Sequence, residues 1–185
     1  MKVITLDKTD FSASCRRLAD EVISCGFTPE LIVGIRTGGE YVAREVMAAF
    51  PSARLAVVEL QRPSTRSKSQ FRSLLRRLPR PVLDIMRMAE AQLLALKPKG
   101  CVPDIALPQG LVGDGERKIL VVDDAVDSGV TLSVIVKALR KAHPGADVHT
   151  AVITVTTLRP LIRPDHCLYN NRTLIRFPWS MDMKK

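Results

Sequence analysis

No apolar run in this sequence approaches the ~18 residues that suggest a membrane-spanning helix, so a membrane protein of that kind is not expected. Cysteine is sparse and scattered. Cys15, Cys25, Cys101 and Cys167 form no CxxC pair, and His143, His149 and His166 have no metal-ligand spacing beside them. Packed, idle thiols are therefore expected, with neither disulfides nor a zinc site. The N-terminus "MKVITLDKTD" meets Asp7 and Asp10 before any signal-like apolar core develops, so secretion is not expected and a cytoplasmic location follows by elimination. Aromatic residues make up only 4%, and Trp179 is the sole tryptophan. No lysine-bearing GxxxxGK[ST] loop is present, which disfavours a triphosphate cradle.

What is present is an ordinary globular balance, 46% hydrophobic and 25% charged over 185 residues, enough for one domain with a sizeable core. The net charge of +9 implies an anionic partner, either a nucleic acid or a small phosphorylated molecule. Short runs rich in Val and Ile alternate with helix-length segments, the pattern of an α/β domain whose parallel sheet is covered on both faces. Strands are expected at about 3–6, 31–35, 55–60, 119–123 and 148–156. Helices are expected at about 11–25 (capped by Asp10), 40–49, 82–96 and 131–142. After Pro160 an irregular tail is expected to bury Leu174, Ile175, Phe177 and Trp179 over a sheet edge or a site.

Chemistry concentrates in "KILVVDDAVDSGVT". A strand apolar at consecutive positions is covered on both faces, and its carboxyl end is where open α/β sheets bind ligands. Gly129 allows backbone to approach a ligand, Ser128 and Thr131 add hydroxyls, and the following helix offers unpaired N–H groups to a phosphate. The three acids must then serve another part of the ligand. Adjacent carboxylates accept hydrogen bonds from vicinal hydroxyls and favour Mg²⁺ or a developing cation. An N-cap with a solvated acidic turn would account for one aspartate but poorly for three.

The stretch "ILVVDDAVDSGVT" resembles the signature of the type I phosphoribosyltransferases, and in pattern the purine members, the hypoxanthine and xanthine-guanine enzymes. The resemblance implies that Asp123 and Asp124 bind the ribose hydroxyls of 5-phosphoribosyl 1-pyrophosphate (PRPP). It implies further that Asp127, Ser128, Gly129, Val130 and Thr131 wrap the 5-phosphate, and that Asp127 doubles as general base toward a purine. "LIVGIRTGGEYVAREV" is similar to the family's pyrophosphate loop, with Arg36, Thr37 and Gly38 as binding residues and a cis peptide implied at Ile35–Arg36. "TTLRP" puts Arg159 where the family has a base-contacting lysine, and "LIRFPW" is similar to the segment that closes over the base, which adds Ile175 and Trp179 as base-binding. The resemblance also implies Mg²⁺, carried largely by substrate and possible at Asp123 and Asp124, a nucleobase acceptor, and a homo-oligomer.

Between Arg62 and Arg80 stand seven cations and no acid. The resemblance implies a catalytic lid here, at 63–70; the stretch at 71–97 is longer than in the compact family members, and its leucines and methionines suggest a helical insertion; the candidate hood covers 160–185. A solvated charge run and a nucleic-acid surface are the other readings of this segment. A PRPP-sensing or RNA-binding regulator on the same fold is the alternative to an enzyme, and phosphoribosyl transfer to a different acceptor is a further alternative, suggested by Arg159 and the extra helical segment.

Overall fold

The computed structural model describes residues 2–60, 107–108, 111, 115–170 and 173–179. They belong to a unit formed by residues 1–60 with 104–185. Residues 61–103 are assigned to a second unit, outside the described residues, as are the expected lid (63–70), the insertion (71–97) and its helix (82–96).

The chain opens with β1 (Lys2–Thr5) and helix α1 (Lys8–Ser24). The cap of α1 is Asp7, not Asp10: the Asp7 carboxylate accepts the Asp10 N–H at 2.8 Å. Asp10 lies inside the first turn, where its charge still meets the positive end of the helix. Strand β2 (Leu31–Ile35) leads to α2 (Gly38–Val46), which tightens into a 3₁₀ turn at Met47–Ala49, and then comes β3 (Arg54–Val58). The later elements are β4 (Lys118–Val126), α3 (Val130–Ala142), β5 (Asp147–Val155), β6 (His166–Tyr169) and β7 (Thr173–Arg176).

Five strands form a parallel sheet in the order β3-β2-β4-β5-β6. The period of two along its central strands sorts side chains onto two cores. Leu31, Val33, Ile119 and Val121 pack with Leu132, Ile135 and Leu139 of α3. Ile32, Leu120 and Val122 face the other way, with Leu18 and Val22 of α1 and Val42 and Val46 of α2. Both faces are thereby covered, which is why these strands read as unbroken apolar runs.

The tail is not irregular. It contains β6, the edge of the main sheet, and β7, which pairs in parallel with β1 as a separate two-stranded sheet. These four-residue strands are too short to show a period, and the outward Leu174, 37% exposed, blurs the alternation of β7. Ile175 and Phe177 point into the core shared with Leu6 and Phe11. No helix among the described residues is long and apolar enough to cross a membrane. At the carboxyl edge of the sheet, neighbouring strands β2, β4 and β5 deliver Arg36–Gly39, Asp123–Gly129 and Thr156–Arg159 to one region.

Candidate active site

Strand β4 runs three residues beyond the expected Asp123, because its ladder with β5 continues through the pairs Asp123↔Val152, Ala125↔Thr154 and Val126↔Val155. Asp123 and Asp124 are thus strand residues, held by regular backbone pairing. Their carboxylates are tied back locally: Asp123 Oδ1 accepts the Asp124 N–H at 2.9 Å, and Asp124 Oδ1 accepts the Ala125 N–H at 3.0 Å. Burial raises both carboxyls above the usual carboxylate range, Asp123 well above it, and the charge of Asp124 adds to the effect on Asp123. A hydrogen bond shared with the Asp123 side chain, and then backbone N–H donors, offset part of the rise of Asp124. Two desolvated acids side by side resist carrying two charges.

The two glycines of "RTGGE" explain how the pyrophosphate-type loop reaches this pair. A Cβ on Gly38 would overlap the Asp124 carboxylate, and a Cβ on Gly39 would lie 2.6 Å from Val122 O and 2.8 Å from Asp123 Cα. Only glycine lets the start of α2 lie against the acids. Thr37, at the N-cap of α2, makes no side-chain capping bond, so the helix's first N–H groups are left for an outside acceptor.

On the other side of the pair, Gly129 takes φ +77°, the left-handed region, and starts α3, again without a side-chain cap. The turn is braced from outside: Leu161 N–H donates to Ser128 O at 2.8 Å, and a Cβ on Gly129 would lie 3.0 Å from Leu161 N. Ser128 and Val130 are exposed and Thr131 is half-buried, so the hydroxyls and N–H groups expected to meet a phosphate surround one turn. Asp127 lies exposed at the start of this turn, its Oδ1 accepting a short hydrogen bond from the Thr156 hydroxyl.

Arg36 already has partners. Its Nε donates to Glu40 Oε2 at 3.1 Å and its Nη1 to Glu59 Oε2 at 3.3 Å, while Arg44 holds the other oxygen of Glu40 at 2.8 Å. The hydrogen bonds to Glu40 and then Glu59 raise the guanidinium further above its usual value, and Arg44, followed by Arg36, pulls the Glu40 carboxyl down. The non-proline cis peptide of this loop lies at Arg36–Thr37, one bond later than implied at Ile35–Arg36. The Arg36 N–H still belongs to the sheet, donating to Val58 O at 2.9 Å, so the departure from strand geometry comes after it.

The residues expected around a base are spread more widely. Arg159 is exposed on the β5–β6 connection. Ile175 is 6% exposed and belongs to the core. Trp179 is half-buried, with the ring centroids of Phe177, Phe11 and Tyr41 at 4.8, 4.9 and 4.8 Å. Sequence reasoning did not single out Glu40, Glu59 and Thr156; the i, i+4 spacing of Arg36 and Glu40 was a usable signal for the first, whereas the other two become partners only through strand neighbours. Two of the cysteines are packed as expected: burial pushes Cys15 up to about 12 and Cys167 up to about 11, whereas Cys25 is exposed and Cys101 lies outside the described residues. A cavity of about 510 Å³, lined in part by Glu21, Thr157, Leu158, Arg163 and Cys167, does not include the carboxylates.

An acidic pair stands at the carboxyl edge of a parallel sheet, flanked by two helix starts without side-chain caps, the edge at which open α/β folds bind ligands. The phosphoribosyl transferase domain model matches residues 6–185, and the chain belongs to that family. It is a transferase that works on PRPP. The fold is similar to that of a Helicobacter pylori xanthine-guanine-hypoxanthine phosphoribosyltransferase (21% identity, TM-score 0.64, covering 98% of this chain and 96% of that one). It is also similar to a purine phosphoribosyltransferase from Pyrococcus horikoshii Ot3 (19%, TM-score 0.63, 97% and 95%). A third similar structure is a hypothetical protein from Neisseria gonorrhoeae with bound ppGpp (19%, TM-score 0.60, 98% and 92%). No curated protein matches the chain.

Proposed function

We propose that the protein transfers the 5-phosphoribosyl group of PRPP to a nucleobase, a purine in the first instance, and releases pyrophosphate. The observation that carries this reading is the Asp123–Asp124 pair set between the Gly38–Gly39 approach and the Gly129 turn. In this scheme the 5-phosphate takes the N–H groups and hydroxyls of Ser128 to Thr131, and the ribose hydroxyls donate to Asp123 and Asp124. The pyrophosphate meets Arg36, Thr37 and Gly38. As the bond from C1 to the pyrophosphate oxygen breaks, its electron pair leaves with pyrophosphate and C1 gains oxocarbenium character, which the adjacent carboxylates offset. A ring nitrogen of the base bonds to C1, and its N–H proton passes to Asp127. The purine assignment draws on the names of the two similar phosphoribosyltransferases, with Arg159, Ile175 and Trp179 as the proposed base-side residues.

Magnesium, which the family implies, suits a carboxylate pair of hard oxygens. No group of three or more His, Cys, Asp or Glu among the described residues could hold a metal, so Asp123 and Asp124 would contribute to a cation held chiefly by PRPP oxygens and water. Bound there, Mg²⁺ would neutralise charge on the departing pyrophosphate.

The deciding experiment incubates the protein with PRPP, Mg²⁺ and single nucleobases and follows pyrophosphate release. Turnover with a purine is expected. No turnover with any base, together with tight RNA binding at moderate salt, would overturn the enzyme reading of this site in favour of a regulatory one.

A further inference from the structure

Beyond β4 and β5 the chain places two side chains against each other that the mechanism above uses only in part. Val126 and Val155 are register partners, so the residues that follow them, Asp127 and Thr156, leave adjacent strand ends side by side. The Thr156 N–H donates to Val126 O at 3.0 Å. The Thr156 hydroxyl has one proton and two acceptors in reach, Val126 O at 3.4 Å and the nearer Asp127 Oδ1. Asp127 Oδ1 is much the nearer acceptor and belongs to a carboxylate, so the hydroxyl proton is directed to Asp127.

We propose that Thr156 is a positioning residue for the proton transfer: its hydroxyl holds one oxygen of Asp127 as an acceptor and so presents the other to the N–H of the incoming base. A hydroxyl donates a stronger hydrogen bond to a charged carboxylate than to a neutral carboxyl, so the contact favours the form of Asp127 able to accept a proton. It also fixes one rotamer of an otherwise exposed side chain, and a misplaced base loses rate steeply. Asp123 and Asp124, on β4, are the acids whose charge interaction with Asp127 is felt in this site. Because both lie on the ribose side of the scheme, Thr156 is the neutral group left to orient the base-side carboxylate. The inference rests on Asp127 being the general base.

The test compares Thr156→Val, which keeps the shape and loses the hydroxyl, with Thr156→Ser, which keeps the hydroxyl. The readouts are the pH profile of kcat with a purine acceptor and the Kd for PRPP. Thr156→Val is expected to lower kcat about tenfold and to move the acid limb of the profile up by about half to one pH unit, the range for a lost hydrogen bond to a charged group. Its PRPP affinity stays within about twofold of wild type, and Thr156→Ser recovers most of the rate. An unmoved acid limb, or a loss that appears equally in PRPP affinity, overturns the proposal. If Thr156→Val does not fold, Thr156→Ala against Thr156→Ser gives the same comparison. Asp127→Asn separates the two levels of argument. If it retains the wild-type profile, Asp127 is not the base; if it abolishes the acid limb while Thr156→Val leaves it in place, only the role of Thr156 is lost.

Discussion

Arg36 shows how a single side chain can be poised yet engaged. Glu40 is itself locked by Arg44 and steers the guanidinium from within α2, whereas the Glu59 carboxylate is 63% exposed and holds Arg36 across only 3.3 Å of open contact. In the proposed scheme an incoming pyrophosphate competes with Glu59, and an exposed pair of this kind yields readily. Glu59→Gln is therefore expected to tighten pyrophosphate binding by about two- to fivefold, and Arg36→Gln to weaken it by at least tenfold, both measured by calorimetry in low salt. Unchanged binding in Arg36→Gln would remove this arginine from the pyrophosphate site. The sequence pointed to Arg36 through its place after an apolar strand and before two glycines. It was silent on Glu59, whose approach depends on the pairing of β2 with β3.

At the scale of elements, the site is made by how closely α2 approaches β4. Gly39 needs no unusual dihedral; it needs the absence of a side chain, because Val122 O and Asp123 Cα lie where a Cβ would go. Both obstacles are backbone and cannot rotate away. Gly39→Ala is expected to destabilise the fold by about 1–3 kcal/mol, as overpacking does, and to lower PRPP turnover beyond what the unfolded fraction explains. Urea denaturation and steady-state assays on the same preparation separate the two effects. An alanine variant with wild-type stability and rate would show that α2 can retreat without consequence. The elements themselves were largely legible, since β2, β4, α3 and β5 carry strong apolar runs or periods. The short β6 and β7 were not, because the pairing of β7 with β1 joins residues 2–5 to 173–176, beyond the reach of any local pattern.

For the whole molecule, the carboxylate pair is a standing burden on stability. A carboxyl whose folded value is raised binds more protons folded than unfolded. Its stabilising contribution is present below the unfolded value of about 4 and is lost as pH rises through the raised folded value. The direction for both Asp123 and Asp124 is upward, so without ligand the protein pays for this pair at neutral pH. Asp124→Asn is expected to raise Tm at pH 7.5 by about 2–5 °C, with the gain shrinking toward pH 5, while lowering PRPP-dependent turnover by about 100-fold or more. Burial, and then the charge of His149, depresses His166, and that stability is lost as pH falls below about 6.5. Comparing variant with wild type at each pH cancels the histidine contribution. A lower Tm for Asp124→Asn throughout would mean that the carboxylate is held more favourably than its burial implies.

The order of residues alone determined the α/β class, the strand that carries the acids, the glycines beside Arg36 and the turn at Gly129, because each is written in a local pattern of apolar runs, loop residues and helix starts. Tertiary structure decided which side chains meet. Glu59 reaches Arg36, Thr156 reaches Asp127, and Trp179 settles among Phe11, Tyr41 and Phe177 only once strands and helices distant in sequence are packed together. A local pattern sets where a side chain leaves the backbone; its partner is set by register and packing, which no short window of sequence contains.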